Sequence, residues 1–186
     1  LLKREEFIDM GNVDDISQGE YFGGAVWALI KSFKSAFKTL MKMGILEEYM
    51  FGNTKSNLLC HQVKDKYFND VPYLDIDPYL VMFERVQQFF KETKDEESVD
   101  ALRHAFYLKV GTQIEPDELE KGSKIWRKNT LINMLKEWGW DAKKLERLND
   151  YSNWQMMHKV DLGNRINKIL MASYKNISEK NKTLDP

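Results

Sequence analysis

The stretch EYFGGAVWALIKSFKSAFKTLMK, which runs from Glu20 to Lys42, decides the fold class of this chain. Its large apolar residues recur at intervals of three and four, so they share one stripe of an α-helix, or of two helices in sequence. The stripe consists of Phe22, Val26, Leu29, Ile30, Phe33, Phe37, Leu40 and Met41. Because such a stripe is typical of a helix that packs on a core, we expect these side chains to be buried.

The same stretch carries four lysines, which we call the basic row: Lys31, Lys34, Lys38 and Lys42. Their spacing of three, four and four residues predicts one basic helix face. Such a face suits a polyphosphate, but an ordinary solvated helix face has the same composition. From the residues alone, the solvated face is the favoured interpretation.

The rest of the chain has the signals of helices and almost none of strands. Asp77 and Pro78 predict a helix start, with a capping carboxylate followed by proline at the first helical position. Further helices are predicted at residues 98–113, at 123–138 before Gly139, after the capping Asp141, and at 154–178. The predicted fold class is all-α, a bundle of six or more helices, with room for one short N-terminal strand near residues 7–10.

Three segments are predicted along the chain. Residues 1–18 are interpreted as the trailing edge of an upstream module or a linker, since Leu1 is not a methionine and the following residues resemble the end of another element. Residues 19–178 are predicted to form the helical domain. The polar residues 179–186 are expected to be a frayed tail.

Composition excludes several classes of protein. A formal net charge of −1 argues against a general nucleic-acid binder, which needs a strongly basic surface. The chain has no apolar run approaching the roughly 18 residues of a membrane-spanning helix. The single cysteine, Cys60, cannot form an internal disulfide, which fits a reducing compartment. We therefore expect a cytoplasmic protein that binds no nucleic acid and does not span a membrane.

Few residues suggest chemistry by themselves. Cys60 and His61 are adjacent, so on a helix they point about 100° apart and form no nucleophile–base pair. We expect a core thiol beside a surface imidazole. Asp75 and Asp77 have the spacing of a metal-binding pair, yet they precede Pro78, and a capping and loop role is the favoured interpretation. No histidine pair has helical metal-ligand spacing, so no metal site is expected in this chain.

Several motifs occur in the order in which they occur in a known family. Residues 77–86 resemble the pattern D-P-Y-x-x-M-x-E-R-V, residues 106–110 resemble F-Y-L-K-V, and residues 137–141 resemble E-W-G-W-D of class I adenylate cyclases of the enterobacterial type. The stretch from Glu20 resembles the segment after the catalytic core of that family, through Glu20-Tyr21-Phe22-Gly23, Trp27, Lys31-Ser32, Ser35, Lys38 and Lys42. From about Phe7 to about Ile177, the chain thus resembles the helical region that follows the family's N-terminal nucleotidyltransferase core.

The resemblance implies an activity for the whole enzyme. Class I adenylate cyclases convert ATP to 3′,5′-cyclic AMP and pyrophosphate with Mg²⁺, and they respond to the sugar phosphotransferase system. In the family's core, a Gly-Ser turn holds the triphosphate and an Asp-x-Asp pair after it holds the metal. This chain lacks that combination, because no acidic pair follows Gly122-Ser123 and no Gly-Ser precedes Asp75-Ile76-Asp77 at a suitable distance. The catalytic residues and Mg²⁺ ligands are therefore expected upstream of Leu1, and the isolated chain is expected to be inactive.

The resemblance also implies a role for this region, as a helical domain that closes one wall of the nucleotide cleft against the upstream catalytic domain. Its expected substrate-binding residues are Lys31, Ser32, Ser35, Lys38, Lys42, Arg103 and Lys109. A structural salt bridge accounts for Arg103 equally well. Two departures weaken the match: Ala36 stands where the family tends to have proline, and Lys34 is not part of the pattern.

The alternative is a non-enzymatic all-α interaction module. Its tryptophans and methionines would form a partner groove, with a stacking platform built from Trp126, Trp138, Trp140 and Trp154. At helical spacing, aromatic residues of this kind are more often core residues. A contiguous exposed apolar patch of more than a few hundred Å² would favour the interaction module.

Overall fold

A computed structural model of the chain describes residues 16–52, 58–68 and 77–183. The elements within these ranges are α1 (Gln18–Ser32), α2 (Ala36–Phe51), α3 (Leu59–Phe68), α4 (Pro78–Thr93), α5 (Glu96–Val110), α6 (Pro116–Lys121), α7 (Trp126–Glu137), α8 (Ala142–Asn149), a 3₁₀ turn (Tyr151–Asn153) and α9 (Met156–Lys182). The described ranges contain no strand, which confirms the all-α prediction of six or more helices. The strand predicted near residues 7–10 lies outside the described residues.

The chain divides into two compact units. The first contains residues 1–106 and 165–186, and the second contains residues 107–164. Helices α1 to α4 belong to the first unit, and α6 to α8 belong to the second. The segment boundaries predicted at residues 18 and 178 stay predictions, although α9 continues as a regular helix to Lys182.

The first unit is built around α2, which packs against both α1 and α4. Leu40, Met41 and Met43 of α2 are fully buried, as are Phe83 and Phe90 of α4. The close approach of the two helices depends on Gly44. A methyl group added at its Cα would lie 2.5 Å from Cγ1 of Val86, so only a glycine fits there.

Helix α1 buries a different side from the one its large apolar residues predict. Its buried residues are Tyr21, Ala25 and Ala28, whereas Val26, Ile30 and Phe33 are exposed. The predicted core position of these three exposed residues is wrong. The segment contains two stripes at helical spacing. The one against the core is Tyr21, Ala25 and Ala28, and its two alanines let the helix backbones approach closely. In α2, the predicted burial of Leu40 and Met41 is confirmed.

Helix ends follow local chemistry, as predicted. Oδ1 of Asp77 accepts hydrogen bonds from the backbone N–H groups of Tyr79 and Leu80, at 2.8 and 3.4 Å. Asp141 caps α8 in the same way, through a 2.7 Å bond from the N–H of Lys144. Gly139 follows α7 with a φ of 69°, a left-handed conformation that favours glycine at helix ends.

Other helix bounds differ from the prediction. Helix α5 begins at Glu96 rather than at residue 98, because Asp95 caps it by accepting a 2.7 Å hydrogen bond from the N–H of Ser98. A hydrogen bond with the side chain of Ser98, together with this backbone bond, lowers the pKa of the Asp95 carboxyl. Helix α5 ends at Val110, before Gly111 with its φ of 67°. Helices α3 and α6 are short and were not predicted.

The second unit is organised around the buried Tyr107. Its hydroxyl donates to Oδ1 of Asn149 at 2.6 Å and accepts from the N–H of Ile114 at 3.3 Å. Asn149 in turn donates to the carbonyl of Ile114 at 2.9 Å. This closed set of bonds connects α8 to the loop that precedes α6, and it fixes Tyr107 as a packing residue.

Candidate functional site

The structure distributes the basic row over two helices. Helix α1 ends at Ser32 and α2 begins at Ala36, so Lys31 lies in the last turn of α1 and Lys34 in the connecting turn. Lys38 and Lys42 are one turn apart on α2 and share a face of that helix. All four lysines are exposed. Their contact with a triphosphate stays a prediction.

The two predicted serines have different environments. The hydroxyl of Ser32 donates to the carbonyl of Leu29 at 2.6 Å, a bond within α1. Ser35 precedes α2, and its side chain makes no capping hydrogen bond to that helix. The first turn of α2 also contains no acidic residue. Because helix N-termini attract anions, this end of α2 suits a negatively charged group near Lys34 and Lys38.

Arg103 and Lys109 lie on α5, a different helix from the two that carry the basic row. Nε of Arg103 donates to Oε1 of Gln87 at 2.9 Å, which ties α5 to α4 within the first unit. Lys109 is exposed in the last turn of α5, within the second unit. Direct substrate binding by either residue stays a prediction.

Many of the motif residues stabilise the fold. Phe106 packs on Phe83 with ring centroids 4.0 Å apart, and on Tyr79 at 5.8 Å. In the second unit, Trp140 is buried and lies edge-on to Tyr107 at 5.8 Å and to Trp138 at 5.1 Å. The motifs D-P-Y, F-Y-L-K-V and E-W-G-W-D therefore contribute helix caps and core aromatic residues.

The remaining tryptophans also have local partners. Trp154 donates a 2.6 Å hydrogen bond from Nε1 to the carbonyl of Arg147 and lies edge-on to Tyr151 at 5.1 Å. The guanidinium of Arg127 lies 5.2 Å from the ring centroid of Trp126. These contacts support the interpretation of the tryptophans as packing residues rather than as a stacking platform.

A buried polar cluster in the first unit was not predicted. Oε1 of Glu47 accepts 2.7 Å hydrogen bonds from Nζ of Lys94 and from Nδ2 of Asn176, and Lys94 also lies 3.5 Å from the hydroxyl of Ser173. The other carboxylate oxygen of Glu47 is buried without a hydrogen-bond partner among the described residues. The sequence contained a signal for this cluster. Glu47 lies on the same face of α2 as the buried residues Leu40 and Met43, so a charged side chain occupies a core position.

An open cleft of about 630 Å³ lies beside the α2–α4 pair in the first unit. Four carboxylates line it, from Glu48, Asp65, Glu84 and Glu92, against the two cations of Lys66 and Arg85. This excess of negative charge does not suit a polyphosphate. The basic row does not line this cleft, so the cleft and the predicted triphosphate contacts are separate surfaces.

The candidate metal-binding and nucleophilic residues lie in positions that differ in part from the predicted ones. Within the described ranges, no group of three or more His, Cys, Asp or Glu side chains could hold a metal ion. Asp75 lies outside the described residues, and Asp77 acts as a helix cap. The thiol of Cys60 is exposed on α3, so its predicted core position is wrong. The short helix α3 buries none of its residues deeply, which explains the difference.

The chain is similar in sequence to proteins of one known family. The model of the family "Adenylate cyclase, class-I, second domain" matches residues 16–184. Adenylate cyclases of Salmonella typhimurium and Escherichia coli are each 31% identical over 178 residues, and that of Yersinia intermedia is 29% identical over the same length. These matches cover 95% of this chain and 21% of each relative. No solved structure matches the chain.

The class defined by the fold and the motifs is an all-α domain of a larger protein. The chain belongs to the class-I adenylate cyclase family and corresponds to the family's second domain. It spans about a fifth of the length of the curated relatives that it matches. In the part of the chain that the structure describes, no helix is both long enough and apolar enough to cross a membrane.

Proposed function

We propose that this chain is the helical domain of an enzyme that converts ATP to 3′,5′-cyclic AMP and pyrophosphate, and that it closes the nucleotide cleft of an upstream catalytic domain. The observation that carries the proposal is the family match over residues 16–184. It is supported by relatives that are adenylate cyclases and align over nearly the whole chain. The reaction belongs to the whole enzyme, and the isolated chain is proposed to be inactive.

Within this proposal, the turn between α1 and α2 faces the triphosphate. Lys31, Lys38 and Lys42 supply exposed ammonium groups, and Ser32 and Ser35 supply hydroxyls. Cations and donors of this kind offset the negative charge that builds on the departing pyrophosphate. Arg103 is proposed as a weaker candidate, because its Nε already donates to Gln87. Lys109 is proposed from the family resemblance alone.

The cofactor and the other partners are also proposals. The described residues do not fit a Mg²⁺ site, since they include no cluster of three potential ligands. The proposal therefore assigns the ion to the upstream catalytic domain. A regulator of the sugar phosphotransferase system is proposed as a further partner, and cytoplasm as the location, both from the family resemblance.

The interaction module remains a second candidate, because the α1 segment exposes several large apolar residues. Val26, Trp27, Ile30 and Phe33 of the α1 segment are exposed large apolar residues. A partner-binding face on a non-enzymatic protein would have this composition. A face that packs against another domain of the same enzyme would have it too.

The two candidates are separated by assaying cyclic AMP formation from ATP and Mg²⁺. We expect the full-length protein that contains this domain to form cyclic AMP, and the 186-residue chain alone to form none above a buffer control. A full-length protein that folds but makes no cyclic AMP would contradict the proposed function and favour the interaction module. Activity in the isolated chain would contradict the proposal that the catalytic residues lie elsewhere.

A further inference from the structure

The exposed side of α1 and the turn after it carry four large apolar residues, which we call the α1 apolar face: Val26, Trp27, Ile30 and Phe33. Val26, Ile30 and Phe33 follow steps of four and three residues, and Trp27 lies one turn before Ile30. Trp27 is 60% exposed, Ile30 is 54% exposed and Phe33 is 95% exposed. Together the four residues present on the order of 400 Å² of surface, the size of the largest apolar patch on a typical monomer.

Among the described residues of the first unit, the packing around α1 leaves this face exposed. Helix α1 contacts α2, and its buried residues are Tyr21, Ala25 and Ala28, on the other side of the helix. Tyr21 and the two alanines therefore hold α1 on its unit, and the residues of the α1 apolar face point away from it. Exposing two aromatic rings and two branched aliphatic chains together is unfavourable in water, so the face is expected to be covered in the intact protein.

We propose that the α1 apolar face docks on the first domain of the same enzyme. The proposal rests on the proposed function, and the occupant follows from the family match. The matched region is the second domain of the family, it begins at residue 16, and α1 begins at Gln18. Helix α1 is thus the element of this domain that lies nearest to the first domain along the chain. The relatives are about five times longer than the matched region, which leaves ample chain for such a domain.

The size of the face agrees with this occupant. Interfaces between domains of one chain bury roughly 600–1,500 Å² in total, so about 400 Å² on one side is sufficient for one. A contact of this kind does not require the larger and more apolar area of an obligate dimer.

The charges beside the face define the complementary surface. Nζ of Lys31 lies 4.7 Å from the centroid of the Trp27 ring, and Lys34 follows Phe33 directly in the turn. The first domain is therefore inferred to offer an apolar recess with carboxylates at its edge. Because Lys31 lies over Trp27, docking of this face carries Lys31 to the boundary with the first domain, where the proposed triphosphate contact is made.

The test is photo-cross-linking in the full-length enzyme, with p-benzoylphenylalanine at Ile30 (Ile30→p-benzoylphenylalanine). Met171 is the matched control position, because it belongs to the same unit and is 56% exposed, close to the 54% of Ile30. After irradiation and proteolysis, mass spectrometry identifies the linked peptides. We expect an intramolecular adduct between position 30 and the first domain, at a yield several-fold above that of any first-domain adduct from position 171.

Three results would overturn the docking proposal: adducts from position 30 that lie only within this domain, adducts that join two copies of the chain, or a first-domain yield equal to that of the control. The cross-link is measured without any enzymatic activity, so it is independent of the proposed function. A first-domain adduct in a protein that makes no cyclic AMP would contradict the proposed function but support the docking proposal. An active enzyme with no such adduct would contradict only the docking proposal.

Discussion

Arg85 of α4 and Glu48 of α2 form a two-pronged ion pair inside the first unit. Nε of Arg85 donates to Oε2 of Glu48 at 2.9 Å, and Nη2 donates to Oε1 at 3.0 Å. The side chains are only 8% and 6% exposed, so both charges have lost most of their water. The guanidinium also lies 5.0 Å from the ring centroid of Tyr49. The arginine of the E-R-V motif therefore has a structural partner that accounts for its position.

The first prediction concerns this pair. Glu48→Gln should lower the free energy of unfolding by about 3–5 kcal/mol, because it removes the anionic partner that Arg85 binds at two points while the guanidinium is only 8% exposed. The measurement is urea denaturation of the chain followed by circular dichroism.

The control uses the same substitution at an exposed pair. Oε2 of Glu84 on α4 lies 3.9 Å from Nζ of Lys66, and about half of each side chain is exposed. Glu84→Gln should therefore change the free energy of unfolding by less than about 0.5 kcal/mol. Similar effects of the two substitutions would show that the Arg85–Glu48 pair is not an important source of stability.

The second prediction concerns the contact between α2 and α4 at Gly44. Gly44→Ala should destabilise the chain by about 1–3 kcal/mol, because the added methyl group would lie 2.5 Å from Cγ1 of Val86 and 3.2 Å from Cε1 of Phe90. Gly23→Ala is the control, since nothing lies within 4 Å of a Cβ at that position of α1. There the alanine should stabilise the helix by roughly 0.5–1 kcal/mol. Thermal unfolding of the two variants should shift in opposite directions, and a shift in the same direction would refute the close approach at Gly44.

Local features of this fold could be predicted from the sequence, whereas tertiary contacts could not. The helix starts at Asp77 and Asp141 and the stop at Gly139 depend on neighbouring residues, and they were predicted correctly. The buried side of α1 depends on which of two apolar stripes fits its neighbour, and that choice lies in the tertiary packing. The partners of Glu47 and Glu48 are also remote in sequence, since Lys94 and Arg85 lie on or beside another helix.

The candidate site was predictable only as a set of residues. The family motif identifies Lys38 and Lys42, and the structure adds that they share a face of α2 while Lys31 belongs to α1. Spacing alone could not locate the turn at residues 33–35, because the apolar periodicity continues through it.

The third prediction compares two buried tyrosine hydroxyls. The hydroxyl of Tyr79 has no hydrogen-bond partner among the described residues, whereas that of Tyr107 is bound to Asn149 and Ile114. Tyr79→Phe should therefore leave the free energy of unfolding unchanged or raise it, because an unsatisfied buried group is removed. Tyr107→Phe should lower it by about 1–2 kcal/mol, because Asn149 and Ile114 lose their partner. Equal losses in urea denaturation would contradict the difference between the two sites.

The fourth prediction concerns alkaline pH. Burial raises the pKa of Tyr79 from 10.0 to about 12, and burial also raises the pKa of Tyr107. The resulting stability is fully present below pH 10, where the phenol is neutral in the folded and unfolded states alike. Between pH 10 and 12 the unfolded state releases the proton first, so the free energy of unfolding should fall as the pH rises. In Tyr79→Phe this fall should be shallower, and an unchanged slope would show that Tyr79 does not contribute to it.

The last prediction tests the basic row in the full-length enzyme by comparing Lys38→Ala with Lys34→Ala. Lys38 belongs to the family motif and lies on α2, whereas Lys34 is outside the motif and lies in the turn. Both are exposed, so neither substitution should disturb the fold.

If Lys38 meets the leaving phosphates, a charge-assisted hydrogen bond of roughly 1.5–3 kcal/mol is lost in Lys38→Ala, and kcat/KM should fall about tenfold to hundredfold. Lys34→Ala should stay within about twofold of the unmodified enzyme, because an exposed single charge contributes little. Equal and small effects of alanine at all four lysines would indicate that the basic row is an ordinary solvated surface, while the family assignment, which rests on a match over residues 16–184, would be unaffected.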